Sequence, residues 1–144
     1  MIPPRKPTLI FDGDCRFYRR WVARWSHVTG DRVDYLPAEV GAPMYLPKLT
    51  LEQLAASVFL VEPSGRVTAG AEAVFRALAT APGQAWRLWA YENLPAIRPA
   101  SDWFYRLMAR RRMLFSRLTV LAWGEMVALP SYFLIRSLFV RITA

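Results

Sequence analysis

The chain has 144 residues, 54% of them hydrophobic, with 19 Lys and Arg against 11 Asp and Glu, a formal net charge of +8. That length and apolar content provide one domain with its own core and exclude a disordered chain, while the positive excess implies a surface that attracts polyanions or anionic lipid. One cysteine and one histidine exclude both an internal disulfide and the usual four-ligand zinc site, and no Gly-rich phosphate loop occurs.

Residues 1–7 form a Pro-rich arm without the apolar stretch of a signal peptide, so a cytoplasmic start is expected. The run Thr8, Leu9, Ile10, Phe11 is β-prone, and Asp12, Gly13 and Asp14 break it with residues suited to a turn and a helix N-cap. Phe17, Trp21, Trp25 and Val28 then recur at helical spacing while Arg16, Arg19, Arg20 and Arg24 take other faces, which predicts a helix over 15–27. Residues 32–36 read as a second strand stopped by Pro37, and residues 38–48, with Gly41, Pro43 and Pro47, read as loop. A short helix follows at 50–54. Residues 57–61 and 66–69, joined by Glu62, Pro63, Ser64 and Gly65, predict a β-hairpin. Helices are expected over 71–80 and 86–91. Ser101 and Asp102 should cap another, with Trp103, Phe104, Leu107 and Met108 as its apolar stripe beside Arg106, Arg110, Arg111 and Arg112.

Chemistry concentrates at Cys15. A thiol at the start of a helix faces the unpaired N–H groups and the positive end of the macrodipole, which favour the nucleophilic thiolate; Arg16, Arg19 and Arg20 act in the same sense, Asp12 and Asp14 against it. Burial as a small hydrophobe is the competing reading for Cys15. Turn formation and capping account for Asp14, whereas Asp12, at the end of a buried strand, is placed to take a proton from the thiol. Gly13 lets the turn approach closely. His27, at the far end of the helix, is read as structural.

The sequence of strand, Asp12, Gly13, Cys15 and a basic, aromatic helix resembles the DCC family of thiol-disulfide oxidoreductases, also labelled DUF393, whose signature is Asp-Gly-x-Cys-x-x-Cys after an apolar strand. Residues 57–61, Gly65, Arg66 and Val67, the start of the 71–80 helix, Leu94 and Pro95, and residues 105–112 extend the resemblance over roughly residues 8–117. It implies a thioredoxin-like α/β fold, a small central mixed sheet with flanking helices. It also implies a thiol nucleophile at Cys15.

The sequence departs from the signature at Tyr18, which stands where the family carries its second, resolving cysteine. The chemistry implied is therefore monothiol, with an external thiol or disulfide, glutathione for instance, as co-substrate and no bound cofactor. Tyr18 is placed to donate a hydrogen bond to the thiolate or simply to pack. A catalytically silent docking domain is the alternative. The cis-proline that thioredoxin-like enzymes place before the third strand has no counterpart, since Ala55 and Ala56 precede Ser57.

Leu9, Ile10, Phe11, Asp12 and Asp14 also resemble the first motif of haloacid dehalogenase-type phosphatases, a remote alternative that lacks the downstream lysine and acidic pair. Residues 118–144 are apolar and resemble the opening of the membrane region in bacterial lipase maturation factor homologues. With Arg106, Arg110, Arg111 and Arg112 just before them, they predict a membrane-proximal segment; nucleic acid is the weaker partner for those arginines. The expected organisation is a thioredoxin-like domain at 1–117 and an apolar helical extension at 118–144.

Overall fold

The computed structural model describes residues 2–111 together with residues 114 and 117. The chain runs β1 (Thr8–Phe11), α1 (Arg16–Thr29), a 3-10 turn (Gly30–Arg32), β2 (Asp34–Pro37), α2 (Ala38–Tyr45), α3 (Leu51–Ala56), β3 (Phe59–Val61), β4 (Val67–Ala69), α4 (Gly70–Ala79), α5 (Ala85–Asn93) and α6 (Ile97–Arg110). The four strands form one mixed sheet in the order β2-β1-β3-β4, with β1 parallel to β2 and antiparallel to β3, and β3 antiparallel to β4. A small mixed sheet with flanking helices is compatible with a thioredoxin-like α/β fold.

β1 is the spine of the molecule. All four of its residues are buried, as a central strand covered on both faces requires. Alternation sends Leu9 and Phe11 to one face, where they meet Phe17, Tyr18, Val22 and Trp25 of α1 and Ala73, Ala77 and Leu78 of α4. Ile10 points the other way, into a smaller cluster with Ala42 and Leu46, Leu54 of α3 and Val61. At about 1.5–3 kcal/mol per fully buried large apolar side chain, these opposed clusters fix the register of β1: a slip of one residue would exchange its faces. α5 and α6 lie outside this frame and pack on α4.

Two expectations require correction. Residues 38–45 form α2 rather than loop, although Gly41 and Pro43 are poor helix formers. Tertiary packing overrides propensity here: a Cβ at Gly41 would stand 2.8 Å from Ile10 Cγ1 and 3.2 Å from Leu36 Cβ, so glycine permits the helix to lie directly on β1 and β2. The last helix begins at Ile97, four residues before the predicted cap. Pro99 falls in its first turn, where a missing N–H costs nothing, so Ser101 and Asp102 lie inside the helix. Its apolar stripe also divides: Trp103 and Phe104 are 62% and 49% exposed, while Met108 packs against the core. The hairpin stands as expected, closed by Gly65 N–H donating to Glu62 O at 2.9 Å, with Gly65 at φ +84°.

No helix among the described residues is long and apolar enough to cross a membrane. The expected apolar extension at 118–144, and Arg112, lie outside the described residues.

Candidate functional site

The parallel and antiparallel registers bring particular loops to one end of the sheet. Phe11 pairs with Pro37, Ile10 with Phe59, and Phe59 with Ala69. The ends of β1, β2 and β4 and the start of β3 therefore share one edge. Along it lie the 12–15 turn, the first turn of α2, the Ser57–Val58 segment and the start of α4.

The turn is built locally. Asp12 Oδ1 accepts from Asp14 N–H at 3.1 Å, and Asp12 O accepts from Cys15 N–H at 3.2 Å. This arrangement makes Cys15 the N-cap of α1, with φ −77° and ψ 110° and no capping hydrogen bond from its side chain. Asp14, expected to cap the helix, sits one residue too early. Its place in the cap is taken by a residue with a weak acceptor, which leaves the sulfur at the positive end of α1. Cys15 is half-buried and packs against the α1 side of the core. Gly13 is tightly enclosed: a Cβ there would lie 2.8 Å from Pro37 Cβ and 3.2 Å from Glu39 Oε2.

Charges of both signs surround the turn. Asp12, Asp14 and Glu39 have carboxylate oxygens within 4.8 Å of one another. Arg16 and Arg19 are exposed on the first turn of α1. Glu39 carries no sequence signal, because residues 38–48 read as loop; only the strand-to-helix junction at Pro37 places it beside Gly13.

Tyr18, three residues beyond Cys15, is 1% exposed and lies edge-on to Phe17 with ring centroids 5.6 Å apart. Its hydroxyl is 3.3 Å from the hydroxyl of Tyr105 on α6. Tyr105 also accepts from Val58 N–H at 3.0 Å, and Val58 O in turn accepts from Gly70 N–H at 2.9 Å. A continuous hydrogen-bonded bridge thus joins the Cys15 helix to α6, the start of β3 and the start of α4. Nothing in the sequence singles out Tyr105, since its place opposite Tyr18 and Val58 depends on how α6 packs.

Beside Tyr105 a groove of about 720 Å³ opens at this same edge, between the 55–57 segment, the start of α4 and one face of α6. Arg98, Arg106 and Arg110 line it, with Tyr91, Asp102 and Glu72. Tyr91 OH donates to Asp102 Oδ1 at 2.8 Å, and burial followed by that carboxylate raises the tyrosine to about 12. Of the arginines expected to face an anionic surface, Arg106 and Arg110 line this groove and Arg111 is exposed, while Arg112 lies outside the described residues.

A four-stranded mixed α/β domain with a half-buried cysteine at the N-cap of the helix after β1 is compatible with a thioredoxin-like architecture. The family described as DCC1-like thiol-disulfide oxidoreductase matches residues 9–118, and the chain belongs to that family. This membership supports a general thiol-disulfide oxidoreductase function. The match ends where the apolar C-terminal segment begins, so it lends nothing to the lipase maturation factor resemblance or to membrane association. No curated protein and no solved structure matches the chain.

Proposed function

We propose that the protein is a monothiol member of its family, exchanging disulfides through Cys15 with an external thiol. The observation that carries this reading is the pairing of a half-buried Cys15 at the N-cap of α1 with Tyr18 at the position one helical turn on, where a resolving thiol would stand. In the first step the Cys15 thiolate attacks one sulfur of a disulfide, its proton having passed to solvent. The S–S bond breaks, a mixed disulfide forms, and the second sulfur leaves as a thiolate that takes up a proton. In the second step an outside thiolate attacks the mixed disulfide and Cys15 departs regenerated. The disulfide count is conserved in each step, and no cofactor is needed.

Asp12 shapes the turn that presents the thiol, its carboxylate accepting from Asp14 N–H and its carbonyl from Cys15 N–H. Gly13 admits the close packing of that turn on Pro37. Tyr18 holds α1 to α6 through Tyr105. Glutathione is the external thiol of simplest chemistry, and the disulfide partner is a small molecule or a protein side chain.

A catalytically silent docking domain is the second reading, favoured by the burial of Tyr18 and its bond into the core, which make it a structural residue. The phosphatase resemblance draws no support from the family match. Incubation with glutathione disulfide followed by intact-protein mass spectrometry decides between the first two. A glutathione adduct on the native chain, absent from Cys15→Ser and removed by added thiol, supports exchange; an unmodified native chain contradicts it and leaves the docking reading.

A further inference from the structure

We propose that the groove beside Tyr105 binds the carboxylates of a small, acidic thiol or disulfide through Arg98, Arg106 and Arg110 and so selects the substrate of Cys15. The inference rests on the monothiol reading and names its substrate class.

Three arginines project from one side of a single helix, since positions 98, 106 and 110 are separated by eight and four residues. Together they line a groove of about 720 Å³, within the range of roughly 300–1,000 Å³ that holds small molecules. Two carboxylates share the groove, and both are already engaged. Glu72 takes Arg66 and Arg76 at 3.1 and 2.9 Å, with Arg98 only at 3.7 Å; Asp102 accepts from Tyr91. Arg106 Nε donates to Asp102 O at 3.2 Å, which fixes its stem and leaves its terminal amino groups to a ligand. Arg98 also lies over the Tyr91 ring, 5.6 Å from its centroid. A guanidinium so oriented recognises a planar carboxylate in bidentate fashion, as an ammonium does not.

Position relative to Cys15 follows from the sheet. The start of α4 continues from the end of β4, and the Cys15 turn continues from the end of β1, two strands away. At about 4.8 Å per strand the lateral separation is about 10 Å, a span of three extended residues. A ligand anchored by a carboxylate at the start of α4 needs at least that lateral reach to meet the Cys15 turn, the scale of a tripeptide and more than a single amino acid spans. Tyr105 lines the groove and its hydroxyl lies 3.3 Å from that of Tyr18, one helical turn beyond Cys15, while Gly70 stands against its ring on the groove side.

The full-length chain tests this with two probes that separate the groove from the thiol. S-methylglutathione carries the carboxylates and cannot exchange, so titration calorimetry with it reports the groove alone. Bis-hydroxyethyl disulfide is neutral, so its exchange rate reports Cys15 alone. Saturable binding of S-methylglutathione is expected to weaken roughly tenfold for each charge-assisted contact removed in Arg106→Gln and Arg110→Gln. It should also weaken as salt is raised, while exchange with the neutral disulfide remains within twofold of wild type. Arg98→Gln is a third variant should either of the others unfold, checked by circular dichroism. Absence of binding, or binding indifferent to both the substitutions and salt, overturns the groove even if Cys15 exchanges. Arginine-dependent binding without any exchange upholds the groove and overturns the thiol reading instead.

Discussion

Replacing Tyr105 by Phe removes one oxygen and tests the bridge that ties the Cys15 helix to the rest of the molecule. Two interactions disappear. The bond from Val58 N–H, at 3.0 Å, is of ordinary length, and Val58 is 0% exposed, so water does not readily replace the lost acceptor. The contact with Tyr18, at 3.3 Å, is long for a hydroxyl pair and contributes less. An orphaned buried amide costs about 1–3 kcal/mol, and a weak hydroxyl contact adds about 0.5 kcal/mol, so a loss of about 1.5–3.5 kcal/mol is expected. With a urea dependence of about 2 kcal/mol per molar for a domain of this size, the unfolding midpoint should fall by roughly 1 M. Tyr18→Phe, which spares the Val58 bond, should cost under about 1 kcal/mol. Equilibrium urea unfolding followed by circular dichroism at constant slope measures both. Equal costs for the two variants, or a Tyr105→Phe midpoint unchanged within error, would refute the assignment of Tyr105 as the hinge of this network.

Other outcomes follow from the same packing. Thr68 is buried in β4, and its hydroxyl has no hydrogen-bond partner among the described residues, so Thr68→Val should raise stability by about 0.5–1 kcal/mol in the same assay, and a loss of that size would contradict it. Tyr35 and Tyr91 are each raised to about 12, the first by burial partly offset by its bond with Thr29, the second by burial and Asp102. The unfolded chain ionises these phenols near 10 while the native state keeps the proton, so stability is intact below about pH 10 and declines as pH rises toward about 12. Thermal unfolding should show that decline, shallower in Tyr35→Phe; a melting temperature constant across the window would count against it. Tyr18→Cys restores the family spacing and should form an internal disulfide on mild oxidation, seen as loss of both free thiols; two free thiols in a folded variant would show that positions 15 and 18 lack that geometry.

The sequence was legible where one local signal and one tertiary demand agreed. β1 reads as a strand because four β-prone residues meet a turn, and the structure buries all four. The Glu62–Gly65 turn reads as a hairpin because Gly65 alone tolerates its φ. Legibility failed where packing overrode composition. Gly41 and Pro43 look like loop residues, yet Gly41 is the contact that seats α2 on Ile10. Asp14 looks like the N-cap, but the Asx turn made by Asp12 advances the helix start to Cys15. At the site, Cys15, Asp12, Gly13 and Tyr18 were visible because they are contiguous. Tyr105, Val58, Gly70 and Arg98 were not, because only the sheet register and the placement of α6 bring residues so distant in sequence to one edge.

The most direct test of a lone exchanging thiol is the rate at which the Cys15–glutathione mixed disulfide is resolved, followed by intact mass, as reduced glutathione is varied. A rate proportional to the external thiol and extrapolating to zero without it is expected, with no adduct on Cys15→Ser. An adduct that never forms, or one that resolves at a rate independent of added thiol, would contradict it.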